Sequence, residues 1–149
     1  MLYNYVIYRY VGKDCPVETD NYPSLQVRPT EIGKIAEKFW LEIPNYFPFV
    51  ILDQYVIMPN HIHGILIFNK TDTLWQPNKF GRQSQNLDSI IRGFKSSLKR
   101  YANENNIDFV WQERFYDRII RDNTGLENVR AYIFNNSQNW KDDEYNDKN

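Results

Sequence analysis

The sequence predicts one α+β domain in which an antiparallel β-sheet is backed by helices. Its 149 residues are enough for a single hydrophobic core, and its content of 42% hydrophobic and 16% aromatic residues excludes a mainly disordered chain. Short runs rich in aromatic and β-branched residues alternate with longer runs in which apolar residues recur at helical spacing. Strands and helices are therefore expected to alternate along the chain.

The first third of the chain contains a predicted strand, a loop and a helix. Leu2–Val11 is aromatic and β-branched and is predicted as a strand, whereas residues 12–29 contain three prolines and are predicted as a loop or irregular hairpin. Thr30 is a suitable N-cap for a helix whose apolar residues fall at helical spacing, and Pro44 is expected to end that helix.

Two strands joined by a tight turn follow. Phe49–Met58 and His61–Phe68 are largely apolar runs, and Pro59-Asn60 between them suits a tight turn and cannot continue a central strand. The two runs are therefore predicted to pair as an antiparallel hairpin. Residues 69–87 are polar and aperiodic and are predicted as a flexible loop.

The last third is predicted to add two helices and a strand. Leu87–Asn105 has helical spacing, and Phe109–Trp111 is predicted as a short strand that continues as an extended segment through Ile120. Thr124–Trp140 is predicted as a helix, and the charged residues 141–149 are expected to fray. The first six elements, strand-helix-strand-strand-helix-strand, match a ferredoxin-like split βαβ arrangement with two backing helices, to which the last helix is added.

Cysteine content and hydropathy indicate a reducing, aqueous compartment. Cys15 is the single cysteine, which excludes a disulfide within the chain and a zinc cluster built on several cysteines. The first residues, MLYNYVIYRYVGKD, lack the basic lead and apolar core of a signal peptide. No apolar run approaches the roughly 20 residues that a membrane-spanning helix needs. We therefore expect a cytoplasmic protein without a membrane partner.

Charge is distributed unevenly along the sequence. The formal net charge of −1 argues against a nucleic-acid partner when taken alone. Residues 79–121, however, contain nine Lys and Arg against five Asp and Glu, so the middle of the chain is basic and the remainder is acidic. The basic residues either form a surface that attracts phosphates or lie on an ordinary solvated helix face.

The two histidines of the chain, His61 and His63, stand at the start of an apolar strand. Alternate side chains of a strand share a face, so both imidazoles point the same way from positions roughly 7 Å apart along the backbone. Two imidazoles placed in this way can bind one cation and leave positions for an oxygen ligand and a substrate. The alternative is a structural role, in which both histidines are partly buried and hydrogen-bonded beside the turn.

Four motifs follow one another in a particular order: VIMPN with HIH, then IIRGFKSS, then WQERFYDRIIRDN, then VRAYIFNNSQNW. In this order they resemble the HUH single-strand nucleases, and more narrowly the IS200-like and REP-associated tyrosine transposases. The resemblance extends from about Ile32 to Trp140. Residues 1–30 match the first strand of that family only loosely, and Ser137 stands where many of its members have proline.

The resemblance implies that Tyr132 is the catalytic nucleophile. Asn136 lies four residues later, so both side chains share one face of the predicted helix, and Asn136 can join His61 and His63 as an oxygen ligand. The implied cofactor is a divalent cation, Mg²⁺ or Mn²⁺. The implied reaction cuts single-stranded DNA beside a hairpin and leaves a 5′-phosphotyrosine, to which a second strand can later be joined. Tyr116 is the alternative nucleophile.

Basic and aromatic side chains near these motifs are candidates for binding the single strand. The candidate cations are Arg92, Lys95, Lys99, Arg100, Arg118 and Arg121. Trp111, Phe115 and Tyr116 offer surfaces on which bases can stack. Asp117 either accepts a hydrogen bond from the second ring nitrogen of a ligand histidine or pairs with Arg114 or Arg121.

Two other functions fit the same residues. A DNA- or RNA-hairpin-binding module can keep the fold without the cutting activity, and a metal-storing or structural protein can use the histidines without affinity for single strands. The combination of two histidines, a tyrosine and an asparagine favours the nuclease. A monomer and a homodimer that exchanges the tyrosine helix both fit the sequence, because the site can be completed within one chain or between two.

Overall fold

A computed structural model of the chain describes residues 2–12, 17–19, 27–29, 31–58, 61–69 and 86–136. The turn at Pro59-Asn60, most of the predicted flexible loop over 69–87, Ser137 and the predicted frayed tail over 141–149 lie outside the described residues, as do the side chains of Arg114 and Phe115. Among the helices of the described ranges, none is both long enough and apolar enough to cross a bilayer.

Six strands and four helices are present in the described ranges. The strands are β1 (Leu2–Gly12), β2 (Val17–Thr19), β3 (Val27–Pro29), β4 (Val50–Ile57), β5 (His61–Phe68) and β6 (Phe109–Ile120). The helices are α1 (Glu31–Leu41), α2 (Ile43–Tyr46), α3 (Leu87–Glu104) and α4 (Asn123–Asn136). The predicted elements occur in the predicted order, with the short elements β2, β3 and α2 inserted between β1 and β4.

The main sheet has the strand order of the predicted ferredoxin-like arrangement. Within the described ranges its order is β4-β5-β1-β6, and every neighbouring pair is antiparallel. β2 and β3 form a separate two-stranded sheet, so the described part of residues 12–29 adopts the hairpin alternative. The predicted α+β fold is confirmed.

Two boundaries differ from the sequence prediction. β6 is one continuous strand of 12 residues, where the sequence predicts a short strand followed by an extended segment. It continues because β1 pairs with it on both sides of a bulge between Tyr8 and Tyr10. α1 ends at Leu41 rather than at Pro44, and Pro44 lies in the first turn of α2. A proline is accepted there because the first N–H groups of a helix lack intrahelical partners.

Helices cover the main sheet on both faces. Alternate residues of β5 point to opposite sides, and Ile62 and Leu66 belong to the larger core that α1 and α3 complete. Ile65 and Ile67 point the other way, into a smaller core with β6 residue Ile120 and α4 residues Leu126, Val129 and Ile133. The face of β5 that carries Ile65 and Ile67 is therefore the α4 face of the sheet.

Candidate functional site

A buried pair of histidines lies on the α4 face. His61 and His63 alternate along β5 with the same parity as Ile65 and Ile67, so all four side chains point to one side of the strand. Both histidines are fully buried. Their Nε2 atoms are 2.7 Å apart, and the ring planes meet at 84°.

This arrangement keeps the imidazoles available as ligands. When one Nε2–H donates to the other Nε2, the accepting ring must be neutral. Burial also lowers the pKa of His63 from 6.5 to about 4, because a charged imidazole is poorly solvated inside the protein. A neutral imidazole at pH 7 is the form that binds a metal ion, and a cation between the two Nε2 atoms would replace the proton that one of them carries in this hydrogen bond.

The predicted nucleophile lies against this pair. The ring centroid of Tyr132 is 5.4 Å from that of His63, and the two rings meet edge to face at 84°. Tyr132 remains 43% exposed, although the histidines next to it are buried. The phenol therefore contacts a predicted metal ligand on one side and is accessible to a substrate on the other.

α4 runs along β5 from its C-terminal end towards the end that carries the histidines. α4 starts near the C-terminal end of β5, opposite the histidines. Ile120, at the end of β6, and Ile67 of β5 both pair with the same residue of β1 there. By Tyr132 it has reached the histidine end. One further turn rises about 5.4 Å, close to the 6.6 Å or so between alternate residues of a strand. Tyr132 therefore lies at the histidine end of β5, and Asn136 lies one turn farther along α4 in the same direction.

The amide of Asn136 has the properties of an unused ligand. Asn136 is 4% exposed, and neither its Oδ1 nor its Nδ2 has a hydrogen-bond partner among the described residues. A buried amide without partners costs about 1–3 kcal/mol, and such groups are rare in folded proteins. An additional group that uses the amide oxygen would remove part of this cost.

These three side chains form a chemically reasonable donor set for a divalent cation. The described residues contain no cluster of three or more His, Cys, Asp or Glu. Two imidazole nitrogens and the Asn136 amide oxygen are the candidate ligands here, and a cation would take water or substrate in its other positions. Amide oxygen and water suit Mg²⁺ and Mn²⁺, whereas the imidazoles also suit zinc or nickel.

Tyr116, the alternative nucleophile, lies on the same face but farther away. The register aligns His63 with Ile7 of β1 and Ile7 with Tyr116 of β6, and residues opposite each other in antiparallel strands share a face. Two strand spacings put Tyr116 about 10 Å from His63 across the sheet. Tyr116 is 55% exposed. The structure thus brings Tyr132, and not Tyr116, into ring contact with a histidine.

The predicted DNA-binding cations fall into two groups. Arg118 is exposed and shares the α4 face with His63, because it lies two residues along β6 from Tyr116. Arg121 is exposed immediately after β6. The cations of α3 lie on the opposite face of the sheet, since α3 packs into the larger core. The cations of this second group are Arg92, Lys95, Lys99 and Arg100.

The α3 lysines contact residues of β6. Lys99 donates through Nζ to the carbonyl of Phe109. Lys95 lies over the ring of Trp111 with Nζ 5.4 Å from the centroid, and burial lowers the pKa of this lysine. Trp111 donates through Nε1 to the Lys95 carbonyl at 3.1 Å and packs against Phe94. Arg92 and Arg100, in contrast, are exposed.

Asp117 lies on the opposite face from the histidines. It pairs with Val6 of β1, which pairs with Gly64 of β5, so it points away from the α4 face. The register therefore does not bring Asp117 to His61 or His63, and a hydrogen bond between them would require a different strand register. An ion pair with Arg114 or Arg121 stays a prediction.

A contact that the sequence interpretation missed joins α4 to β4. Arg130 donates through Nε to both carboxylate oxygens of Asp53 at 3.1 Å, and through Nη2 to Oδ2 at 2.5 Å. Its Nη1 donates to Glu127 at 2.7 Å. The signals present in the sequence were an acidic residue inside the apolar run FVILDQYVIM and an arginine two residues before Tyr132.

The comparisons with known proteins agree with the sequence resemblance. No protein-family model matches the chain. An uncharacterized protein of Haemophilus influenzae is 35% identical to it over 131 residues, which cover 80% of this chain and 72% of that protein. A putative REP-associated tyrosine transposase of the same bacterium is 28% identical over 98 residues, which cover 62% of this chain and 51% of the relative. The chain thus spans about half the length of this second relative.

A solved structure shares the fold. The structure of a REP-associated tyrosine transposase bound to a REP hairpin superposes with a TM-score of 0.62 and 16% sequence identity, covering 94% of this chain and 67% of the other. At this identity the likeness shows the fold. The name of the second relative and the shared fold are consistent with the family that the motif order resembles.

Proposed function

We propose that the chain is a member of the REP-associated tyrosine transposase family, as a named relative and the shared fold support, and that it is a metal-dependent endonuclease and strand transferase that cuts single-stranded DNA next to a hairpin. The observation that carries the proposal is the contact of Tyr132 with His63. The half-exposed phenol ring of Tyr132 has its centroid 5.4 Å from that of His63, which is one of two buried imidazoles.

In the proposed site, the Nε2 atoms of His61 and His63 and the Oδ1 atom of Asn136 hold a divalent cation, Mg²⁺ or Mn²⁺. The close approach of the two Nε2 atoms and the unpartnered amide of Asn136 support this assignment. When bound, the cation stabilises the negative charge that develops on the non-bridging oxygens of the phosphate.

Tyr132 supplies the nucleophile of the proposed reaction. A phenol in water has a pKa near 10, so it has to lose its proton to a base or to solvent as it attacks. The Oη–phosphorus bond forms while the bond from phosphorus to the 3′ oxygen breaks, and that oxygen takes up a proton. The products are a 5′-phosphotyrosine and a 3′ hydroxyl. Because the new link retains the phosphodiester energy, the 3′ hydroxyl of a second strand can displace Tyr132.

In the proposed complex, the single strand lies across the exposed part of the α4 face. Tyr132 and Arg130 are 200° apart on a helix with 100° per residue, so they flank opposite sides of α4. Since Arg130 faces β4, Tyr132 faces the side of β1 and β6. Arg118 and Tyr116 are exposed on that side and would contact a phosphate and a base of the strand.

A hairpin-binding module without cutting activity is the second candidate. The observation that favours it is the separation of two cationic groups: Arg92 and Arg100 are exposed on α3, on the face opposite Tyr132. Duplex phosphates bound there would not require the histidine site. The two candidates therefore make different predictions for variants of Tyr132.

A covalent-capture assay distinguishes these functions. The full chain is mixed with Mn²⁺ and labelled single-stranded hairpin DNA from its own flanking sequence, and a denaturing gel separates covalent adducts. Tyr132→Phe and His61→Ala are compared with Tyr46→Phe. Tyr46 is a suitable control because it is 75% exposed and lies on α2, next to the other core.

The nuclease proposal predicts an adduct in the wild type and in Tyr46→Phe, and none in Tyr132→Phe or His61→Ala. An adduct that persists in Tyr132→Phe would show that the nucleophile is misassigned, and Tyr116→Phe would be measured next. No adduct in any protein, together with tight hairpin binding in a native gel, would favour the non-cutting module. Metal binding that needs His61, without affinity for DNA, would favour a metal-storing or structural protein.

A further inference from the structure

The nucleophile helix is attached to the sheet through a small apolar interface. α4 buries Leu126, Val129 and Ile133 against isoleucines of β5 and β6, whereas α1 and α3 share the larger core. Apolar contacts are not directional. A stripe of three apolar residues therefore determines which side of α4 faces the sheet, but it restrains the exact rotation of the helix about its own axis only weakly.

The Asp53–Arg130 pair adds a directional polar contact between α4 and β4 to this apolar interface. Arg130 uses Nε and Nη2 together on the carboxylate, the two-pronged geometry that fixes orientation as well as distance. Asp53 is only 14% exposed in its side chain and Arg130 36%. Glu127 contacts Nη1 from the previous turn and so restrains the guanidinium from the other side.

The edge strand is irregular at the point where Asp53 meets α4. β4 pairs Leu52 with Leu66 and then Tyr55 with Gly64, so Asp53 and Gln54 together oppose the single residue Ile65. Such a bulge redirects side chains, and bulges are frequent at sheet edges and beside active sites. Here the bulge directs a carboxylate to the helix that carries Tyr132.

A change in helix rotation would move the phenol by a distance that matters chemically. A tyrosine hydroxyl lies roughly 8 Å from the axis of its helix, so a rotation of about 20° moves it by about 3 Å. Misplacement of a reacting group by about 1 Å can reduce a rate about 100-fold. Arg130 contacts Asp53 of β4 on one flank of α4, and Tyr132 on the other flank is in ring contact with His63.

We propose that Asp53 and Arg130 are a positioning pair that sets the rotation of α4 and thereby keeps Tyr132 over the histidines. This inference rests on the proposed function, because it assigns the pair to the reaction of Tyr132. Neither residue touches the reacting atoms. Their effect is on the nucleophile and not on recognition of the DNA.

The test is a double-variant cycle with three readouts. Asp53→Asn, Arg130→Gln and the double variant are compared with the wild type. The readouts are the rate of adduct formation at saturating hairpin DNA, the Kd for the hairpin, and the nuclear Overhauser contact between the rings of Tyr132 and His63. Thermal melts establish that each variant is folded. Glu37→Gln is the matched control, since Glu37 accepts a hydrogen bond from Tyr55 of the same edge strand on the other face.

The positioning role predicts that each single variant forms the adduct at least tenfold more slowly and loses the Tyr132–His63 ring contact. The hairpin Kd should change less than twofold. The double variant should be no slower than the slower single variant, because the pair acts as one unit. Glu37→Gln should match the wild type in rate.

Two results would overturn the inference. One is an adduct rate within twofold of wild type in folded Asp53→Asn; the other is rate losses that multiply in the double variant. The ring contact is measured without DNA, so it tests the positioning role even if the wild type forms no adduct. In that case the proposed function fails, and an intact contact in Asp53→Asn would also reject the positioning pair.

Discussion

Gly64 occupies a position in β5 where even one additional methyl group has no room. A Cβ atom at this position would overlap Cζ2 of Trp40 and lie 2.7 Å from Cη2 of the same ring. Trp40 is fully buried and lies edge-on against Phe94, with ring centroids 5.5 Å apart. The substitution Gly64→Ala therefore forces the indole or β5 itself to move, and β5 carries His63 in the adjacent position.

The expected cost follows from the overlap. Carbon atoms in contact are normally about 3.5–4.0 Å apart, so the indole and the new methyl group have to separate by more than about 1 Å. Overpacking of this kind costs typically 1–3 kcal/mol, against which alanine recovers about 0.5–1 kcal/mol of backbone entropy in a strand. The net loss is then up to about 2.5 kcal/mol, and for a domain of this size 1 kcal/mol corresponds to about 2–4 °C in Tm, so we expect Gly64→Ala to lower Tm by up to about 10 °C.

Gly93 provides the matched control because the same substitution meets no obstacle there. A Cβ atom at Gly93 would have no neighbour within 4 Å among the described residues outside its own helix backbone, and Gly93 lies in the middle of α3. Alanine is favoured over glycine in a helix interior by about 1 kcal/mol, so Gly93→Ala should raise Tm by about 2–4 °C. Thermal melts followed by circular dichroism measure both. A Gly64→Ala protein that melts at or above the wild-type temperature would refute the packing argument.

Three further predictions concern the site. Burial lowers the pKa of His63 from 6.5 to about 4. Between pH 4 and pH 6.5, with a chelator present to keep the protein metal-free, the unfolded state therefore binds more protons than the folded state. The free energy of unfolding should therefore be highest above pH 6.5 and fall by roughly 3 kcal/mol towards pH 4, a slope that His63→Phe should lack. Tyr116→Phe should form the adduct at the wild-type rate while Tyr116→Ala forms it several-fold more slowly; loss of the adduct in Tyr116→Phe would instead make Tyr116 the nucleophile. Asn136→Leu should raise the stability of the metal-free protein by about 1–3 kcal/mol in urea titrations and weaken Mn²⁺ binding in calorimetry, and equal Mn²⁺ affinity would exclude Asn136 as a ligand.

The sequence by itself determined the elements and the local chemistry of the site. The alternation of His61 and His63 along an apolar run placed both on one face, and the spacing of Tyr132 and Asn136 placed both on one side of a helix. These relations depend only on the periods of a strand and a helix, which are local properties of the chain. The sheet order also agreed with the prediction, because short strands alternating with helices allow few arrangements.

The tertiary structure alone decided which of these surfaces meet. Helical periodicity shows that α3 and α4 each have a buried side, but not that they cover opposite faces of the sheet. For that reason the sequence grouped the cations of α3 with Arg118, whereas the fold separates them. The register of β6 likewise placed Tyr116 on the α4 face and Asp117 on the other, since a slip by one residue would exchange them. Asp53 and Arg130 are 77 residues apart, and no local period connects them. Their contact exists because a bulge in the edge strand and the packing of α4 bring them together.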